Sequence, residues 1–415
     1  MNYSLIAPDH LTADIQLPAS KSISNRVLIL NALTGQPADI NHLAVCDDTD
    51  VLVKALRERA PIIDIQGAGT AMRFLTAFLS STPGEHLLTG NQRMQERPIG
   101  VLVDALRQLG ADIAYEKETG FPPLRIRGRQ LHGGALTIPG NISSQYISAL
   151  LMIGPYLSGG LELELTGNIL SRPYIDMTLA LMRQFGAQAK WNGNDRLHVA
   201  EGCYRPIDYT VESDWSAASY WYALAALYPQ PEVHLKGLFA ESCQGDCRVA
   251  DLFAELGVCT TYEADGIRLQ ASATPPAKRL QTDFSSIPDL AQTFAVSCCL
   301  LGVPFHFTGL ESLYIKETDR MHALRTELLK LGFETSEPTN GELIWDGKQT
   351  TPSTTPSIAT YGDHRMAMAF APAAVHFGGL VVEEAEVVSK SYPDFWKDLQ
   401  TGAFFSVRPH NRVAF

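Results

Sequence analysis

Leu102-Val103-Asp104-Ala105-Leu106-Arg107-Gln108-Leu109-Gly110 runs directly into Ala111-Asp112-Ile113-Ala114-Tyr115. The first stretch puts leucine, valine and alanine on one face at helical spacing. It closes on glycine, the residue suited to the left-handed position that ends a helix. The second stretch alternates like a half-buried strand. The same helix-glycine-strand pattern recurs over residues 179–186, 249–257 and 324–332, with the glycines 76, 71 and 75 residues apart. Such regular spacing implies duplication of a mixed helix-and-strand unit of about seventy residues. Further helices expected over 49–59 and 393–400 bring the count of units to six. The first unit is abbreviated, because only residues 60–66 separate its helix from the next glycine-rich loop.

Six α/β units in 415 residues divide into two similar halves, with a hinge expected near Val211-Glu212-Ser213-Asp214. A hydrophobic content of 45% with 19% charged residues is that of a folded globular protein. No apolar run reaches membrane-spanning length and Met1-Asn2-Tyr3-Ser4 does not begin a secretory signal, so the expected compartment is the cytoplasm. The seven cysteines are scattered without a Cys-x-x-Cys pair, and reduced, mostly buried thiols are expected. Cys243 with Cys247 is the best metal candidate, but it lacks further ligands at suitable spacing; no metal or cofactor is expected. A net charge of −12 argues against a nucleic-acid partner, yet a focused cluster of lysines and arginines can still hold a small anion.

Several segments supply such clusters at helix starts. Lys21-Ser22-Ile23-Ser24-Asn25-Arg26 follows Leu17-Pro18-Ala19-Ser20 and combines cations and hydroxyls with the unpaired amides of a first helical turn, which suits a phosphate. Gly67-Ala68-Gly69-Thr70-Ala71-Met72-Arg73 follows a strand-like segment. It fails the dinucleotide fingerprint at Met72 and the Walker pattern for want of a lysine, so it reads as a loop that lets a ligand approach the backbone, or as tight strand-to-helix packing. Ser143-Ser144-Gln145 and Ser171-Arg172-Pro173-Tyr174 open two more helices. In the second half, Lys316-Glu317-Thr318-Asp319-Arg320 precedes a helix over 321–331, Gly362-Asp363-His364-Arg365 precedes one starting at Met366, and Asp289 and Lys390 lie in apolar surroundings. Charges in such a setting are costly unless they face a charged ligand. The sequence has no Gly-x-Ser-x-Gly elbow, no His-Glu-x-x-His helix and no carboxylate cluster at metal-binding spacing.

These segments, with Glu96-Arg97-Pro98-Ile99, occur in the order found in the enolpyruvylshikimate-phosphate synthases, and the chain resembles that enolpyruvyl transferase family over essentially its whole length. The resemblance implies two domains, 19–213 and 1–18 plus 214–415, each of three βαβαββ units, with the active site in the cleft between them. It implies that Lys21, Ser22, Arg26, Ser143, Ser144, Gln145, Ser171, Tyr174, Asp289, Ser312 and Lys316 hold shikimate 3-phosphate. Phosphoenolpyruvate then lies against Lys21, Gly69, Arg97, Gln145, Arg320, Arg365 and Lys390, in a pocket that glyphosate also occupies in the family. Gly67, Phe74 and Ser312 stand where many members have asparagine, proline and asparagine.

The implied chemistry is transfer of an enolpyruvyl group to a ring hydroxyl with loss of phosphate, in a cytoplasmic monomer of aromatic amino-acid biosynthesis. Asp289 is the candidate base, with Lys316 keeping it ionised, while Glu317 and Lys21 are the candidates for delivering a proton to the methylene carbon. Two rival readings remain. One is the sister reaction on a UDP-amino sugar, for which the resemblance leads to an expected cysteine in the 91–97 loop that this chain lacks. The other is a non-catalytic phosphate-ligand or RNA-end-binding protein, which has no need of Asp289 and Glu317 together.

Overall fold

The computed structural model describes residues 1–352 and 356–410. The chain forms two compact units, Ala19–Glu212 and Met1–Pro18 with Ser213–Phe415. Ser213, expected at the end of the first, belongs to the second: its amide donates to the Gly237 carbonyl at 2.9 Å and its hydroxyl to that of Leu17 at 3.3 Å. Among the described residues each unit holds three sheets.

In the 19–212 unit, Ile62–Asp64 and Gly84–Thr89 pair in parallel, followed across the sheet by Leu124–Gly128 and then Asp112–Tyr115, both antiparallel. His132–Pro139 and Ser158–Thr166 repeat the plan with Arg196–Val199 and Ala189–Trp191. The order is therefore first, second, fourth, third, which is the βαβαββ pattern. The abbreviated unit keeps only a parallel pair, Tyr209–Thr210 on Ile40–Asn41. In the terminal unit Thr12–Gln16 pairs in parallel with Glu232–Lys236, Leu280–Asp283 with Phe305–Thr308, and Ser357–Ile358 with Leu380–Val382. The N-terminal segment thus gives the first strand of one sheet, and Tyr3–Ile6 fills the fourth place of another, between Leu380–Val382 and Ser406–Pro409.

A helix lies between the two parallel strands of the four pairs that are joined directly, as the crossover of a βαβ unit requires, whereas the connection from Thr12–Gln16 to Glu232–Lys236 runs through the whole 19–212 unit before Trp215–Ala226. In the 19–212 unit the central helices are Lys21–Leu33, Gly69–Ser81 and Ser144–Ile153; in the terminal unit they are Trp215–Ala226, Ala291–Leu301 and His364–Phe370. Within each unit every one of the three packs against the other two. That is why sequences such as Ser144-Gln145-Tyr146-Ile147-Ser148-Ala149-Leu150-Leu151-Met152-Ile153 are apolar nearly all round. The amphipathic helices Asp47–Glu58, Gly100–Gln108 and Arg172–Gln184 lie over the central set of the 19–212 unit, each against two of its helices.

The glycines that revealed the repeat share one conformation, with φ of +93° at Gly110 and +91° at Gly186, Gly257 and Gly332. At Gly110, Gly186 and Gly332 the amide reaches back three residues to the helix and the next residue's amide reaches back five, one shared cap at three places. Two expected elements differ. The helix over 393–400 is only Phe395–Lys397 followed by the wide turn Asp398–Gly402, and after Gly332 the chain makes two isolated antiparallel bridges, Phe333 to Gln349 and Ser336 to Ile344, rather than a strand. Of the seven cysteines only Cys46, Cys298 and Cys299 are buried, fewer than expected. No helix among the described residues is long and apolar enough to cross a membrane.

Candidate active site

In the terminal unit, ionic residues from four segments converge at helix starts. The helix Arg320–Lys330 begins one residue earlier than the sequence suggested, with the Asp319 side chain accepting from the His322 amide at 3.0 Å. His364–Phe370 begins two residues earlier, because Asp363 accepts from the Arg365 amide at 2.9 Å. Asp289 sits in the turn Pro288–Leu290 that leads into Ala291–Leu301. Its carboxylate lies 2.9 Å from Arg365 Nη2, 3.2 Å from Arg320 Nη1 and 3.6 Å from Lys316 Nζ. Burial alone would raise the Asp289 carboxyl, but Arg365, Lys316 and Arg320 together hold it well below the usual range.

Arg320 is the hub. It is 1% exposed, and besides Asp289 it donates to Asp363 Oδ2 at 2.5 Å and to Glu317 Oε2 at 2.8 Å. Lys390, at the end of the turn Ala385–Lys390, lies 3.3 Å from the other Glu317 oxygen. Lys316, Arg320, Arg365 and Lys390 therefore meet Asp289, Glu317 and Asp363, leaving a surplus of positive charge suited to an anionic ligand. Ser312 lies in the turn just before, and its enclosed hydroxyl has no hydrogen-bond partner among the described residues. Tyr220 reaches Arg365 Nη1 at 3.4 Å, and burial pushes its phenol up to about 12, against the opposing effect of Arg365.

The 19–212 unit gathers its helix starts in the same way. Ser20 caps Lys21–Leu33, and Lys21 Nζ lies 3.0 Å from Asp48 in the first turn of Asp47–Glu58. Arg26 is 2% exposed and is engaged with the protein itself: it donates to Thr178 Oγ1 at 2.7 Å, the Ser22 carbonyl at 2.8 Å, Ser148 Oγ at 3.2 Å and the Tyr174 carbonyl at 3.4 Å. Its guanidinium also faces the Phe74 and Tyr174 rings. It pins three helix starts together, so any bond to a ligand is added to that role.

Ser143 caps Ser144–Ile153, and Gln145 Nε2 donates to Thr70 Oγ1 at 3.0 Å, joining that helix to Gly69–Ser81. Ser171 adopts the left-handed conformation, φ 54°, at the start of Arg172–Gln184 and makes no capping bond with its side chain. Arg97 is half-buried, has no carboxylate at ion-pair distance among the described residues, and keeps Nε enclosed without a hydrogen-bond partner. A Cβ on Gly69 would lie 2.7 Å from its Nη1, so the glycine makes room for this guanidinium.

Every sequence-predicted residue falls into one of these two clusters, and the clusters belong to different units. Sequence reasoning missed Asp48, Ser148 and Thr178 as partners, although the last two lie four residues beyond Ser144 and Tyr174 on the same helix faces. Asp363 stood in a quoted motif without a role and turns out to clamp Arg320. The best metal candidate in the sequence was Cys243 with Cys247, whereas folding brings His234 Nε2 to 3.3 Å from Asp265 and 3.6 Å from Glu263. Glu263 already holds Arg268 at 2.7 and 3.1 Å, and the neighbouring Asp14 holds Lys236 at 2.5 Å. That face therefore reads as a charge ladder across the sheet.

The family model for EPSP synthase (3-phosphoshikimate 1-carboxyvinyltransferase) matches residues 6–61 and 58–399. A 3-phosphoshikimate 1-carboxyvinyltransferase of Bacteroides fragilis is 58% identical over 404 residues, covering 97% of this chain and 98% of that protein. Another, of Cellvibrio japonicus, is 40% identical and covers 95% and 98%. Among solved structures, the EPSP synthase of Acinetobacter baumannii superposes with a TM-score of 0.79 at 21% identity, over 98% of this chain and all of that one. The enolpyruvyl transferase NikO of Streptomyces tendae gives 0.75 at 16%, over 99% of both chains. The two structural likenesses establish the fold; the family match and the identities across nearly the full length establish that the chain belongs to the EPSP synthase family.

Proposed function

We infer that this protein is a 3-phosphoshikimate 1-carboxyvinyltransferase. It moves the enolpyruvyl group of phosphoenolpyruvate to the 5-hydroxyl of shikimate 3-phosphate and releases phosphate, a step of the shikimate pathway toward aromatic amino acids. The observation that carries the catalytic assignment is Asp289, a half-buried carboxylate kept ionised by three cations. An ionised carboxylate within reach of a ligand's hydroxyl can accept its proton.

On this reading, Lys21, Ser22, Arg26, Ser143, Ser144, Gln145, Ser171 and Tyr174 of the 19–212 unit bind shikimate 3-phosphate together with Asp289, Ser312 and Lys316. Phosphoenolpyruvate is held by Lys21, Gly69, Arg97 and Gln145 with Arg320, Arg365 and Lys390, so the reaction draws on both units. Asp289 takes the proton of the 5-hydroxyl as its oxygen attacks the enol carbon, and Glu317 or Lys21 delivers a proton to the neighbouring methylene. The tetrahedral intermediate then returns a proton from its methyl carbon to the group that delivered it as the C–O bond to phosphate breaks, forming the enol ether and releasing phosphate. Arg97, Arg320, Arg365 and Lys390 balance the carboxylate and the departing phosphate. Glu317 is bridged between Arg320 and Lys390, and acting as a proton donor requires the substrate to draw those cations away.

The test is Asp289→Asn. Turnover should fall by at least about two orders of magnitude, while binding of shikimate 3-phosphate, read by calorimetry, persists. Unchanged turnover would remove Asp289 from the role.

A further inference from the structure

We propose that Glu327 is a positioning residue for phosphoenolpyruvate: through Tyr361 and the Ala359 amide it holds the turn that carries Asp363, and thereby fixes the guanidinium groups of Arg320 and Arg365. The proposal rests on the assignment of those two arginines to that ligand. Glu327 is 0% exposed, in the helix Arg320–Lys330. It stands seven residues after Arg320, about 10 Å further along the same helix face. Its Oε1 accepts the Tyr361 hydroxyl at 2.7 Å, while its Oε2 accepts the Ala359 amide at 3.2 Å and lies 2.5 Å from Lys330 Nζ. Burying a carboxylate is costly unless such bonds offset it, and two of the three go to the segment that leads into His364–Phe370.

That segment is bent against its own preference. Tyr361 and Gly362 have φ of 55° and 67°, and the Asp363 amide donates to the Thr360 carbonyl at 2.9 Å, the arrangement of a type I′ turn. Glycine, asparagine and aspartate ordinarily take the first of those two positions, and a tyrosine persists there only where its surroundings hold it. Its bond to Glu327 is that hold. Directly after the turn, Asp363 accepts from Arg320 Nε at 2.5 Å, from Arg320 Nη2 at 3.3 Å and from the Arg365 amide at 2.9 Å. The helix Arg320–Lys330 therefore grips residues 359–363 at two points, Arg320 on Asp363 and Glu327 on Ala359 and Tyr361. With the second grip released, the turn relaxes toward right-handed backbone and draws Asp363 off Arg320. The anionic ligand then meets arginines that are no longer fixed in place.

Tyr361→Phe removes only the hydroxyl from a side chain that is 37% exposed, so the fold survives and the bond to Glu327 is lost. Steady-state kinetics should show the phosphoenolpyruvate KM raised by roughly three- to tenfold and the shikimate 3-phosphate KM within about twofold of wild type. Glu327→Ala should show the same selective loss, at least as large. Glu327→Gln still offers a carbonyl oxygen to the Ala359 amide and an N–H to the Tyr361 oxygen, and should restore most of it. Where Glu327→Ala folds poorly, Tyr361→Phe alone decides. An unchanged phosphoenolpyruvate KM in Tyr361→Phe, equal rises in both KM values, or a Glu327→Gln as impaired as Glu327→Ala overturns the proposal. Failure of the ligand assignment is distinguishable, since Arg365→Lys would then leave the phosphoenolpyruvate KM unchanged.

Discussion

Replacing Gly69 by alanine separates two consequences that usually travel together. Gly69 opens the helix Gly69–Ser81 and its φ is not in the left-handed region, so alanine brings no backbone strain and, by helix propensity, favours the fold by up to about 1 kcal/mol. The cost is local. The new methyl would stand 2.7 Å from Arg97 Nη1 and 3.3 Å from Arg73 Nη1, where ordinary contact begins at 3.4 Å. The Arg97 guanidinium must therefore withdraw by about 0.7 Å. For a charge pair stretched from about 2.8 to about 3.5 Å in a partly wet site, that removes about 1 kcal/mol, roughly a five- to tenfold loss of affinity. Steady-state kinetics on Gly69→Ala should show the phosphoenolpyruvate KM raised by about five- to tenfold, the shikimate 3-phosphate KM within about twofold of wild type, and the melting temperature unchanged or higher. Glyphosate, the longer occupant of that pocket in the family, should lose more affinity than phosphoenolpyruvate. An unchanged phosphoenolpyruvate KM, or equal rises for both substrates, would refute the placement of Arg97 against that ligand.

The Asp289 cluster also sets a pH dependence of stability. Because Arg365, Lys316 and Arg320 outweigh burial and hold the folded carboxyl below its ordinary 3.8, its contribution is complete above that range and is lost as pH falls through the depressed folded value. Denaturant melts from about pH 5 down to about pH 2 should therefore show wild type losing stability more steeply than Asp289→Asn, and parallel curves would contradict the linkage. Arginine and lysine supply the charge that a divalent ion gives many phosphoryl enzymes. Activity should accordingly survive exhaustive chelation; loss with chelator, restored by added divalent ion, would contradict this.

The repeat was legible because its signal is a backbone requirement. Gly110, Gly186, Gly257 and Gly332 must each take a positive φ at a helix end, and glycine alone does so without strain. The abbreviated first unit was equally readable from chain length, since residues 60–66 leave no room for a second strand pair. Helix starts at Arg320 and His364 were misjudged by one or two residues, because side-chain caps from Asp319 and Asp363 draw charged residues into the first turn. The site residues were visible as motifs, but their pairings were not. Lys21 with Asp48, Arg26 with Thr178 and Arg320 with Asp363 join segments far apart in sequence, and spacing carries no record of them.

The reaction couples phosphate release to enol ether formation on shikimate 3-phosphate. Incubating the protein with phosphoenolpyruvate and shikimate 3-phosphate, separately and together, while following inorganic phosphate and the mass of the shikimate product, tests it directly. Phosphate should appear only with both substrates present, mole for mole with a product carrying the enolpyruvyl group. Phosphate released from phosphoenolpyruvate alone, or equal turnover when a UDP-amino sugar replaces shikimate 3-phosphate, would contradict it.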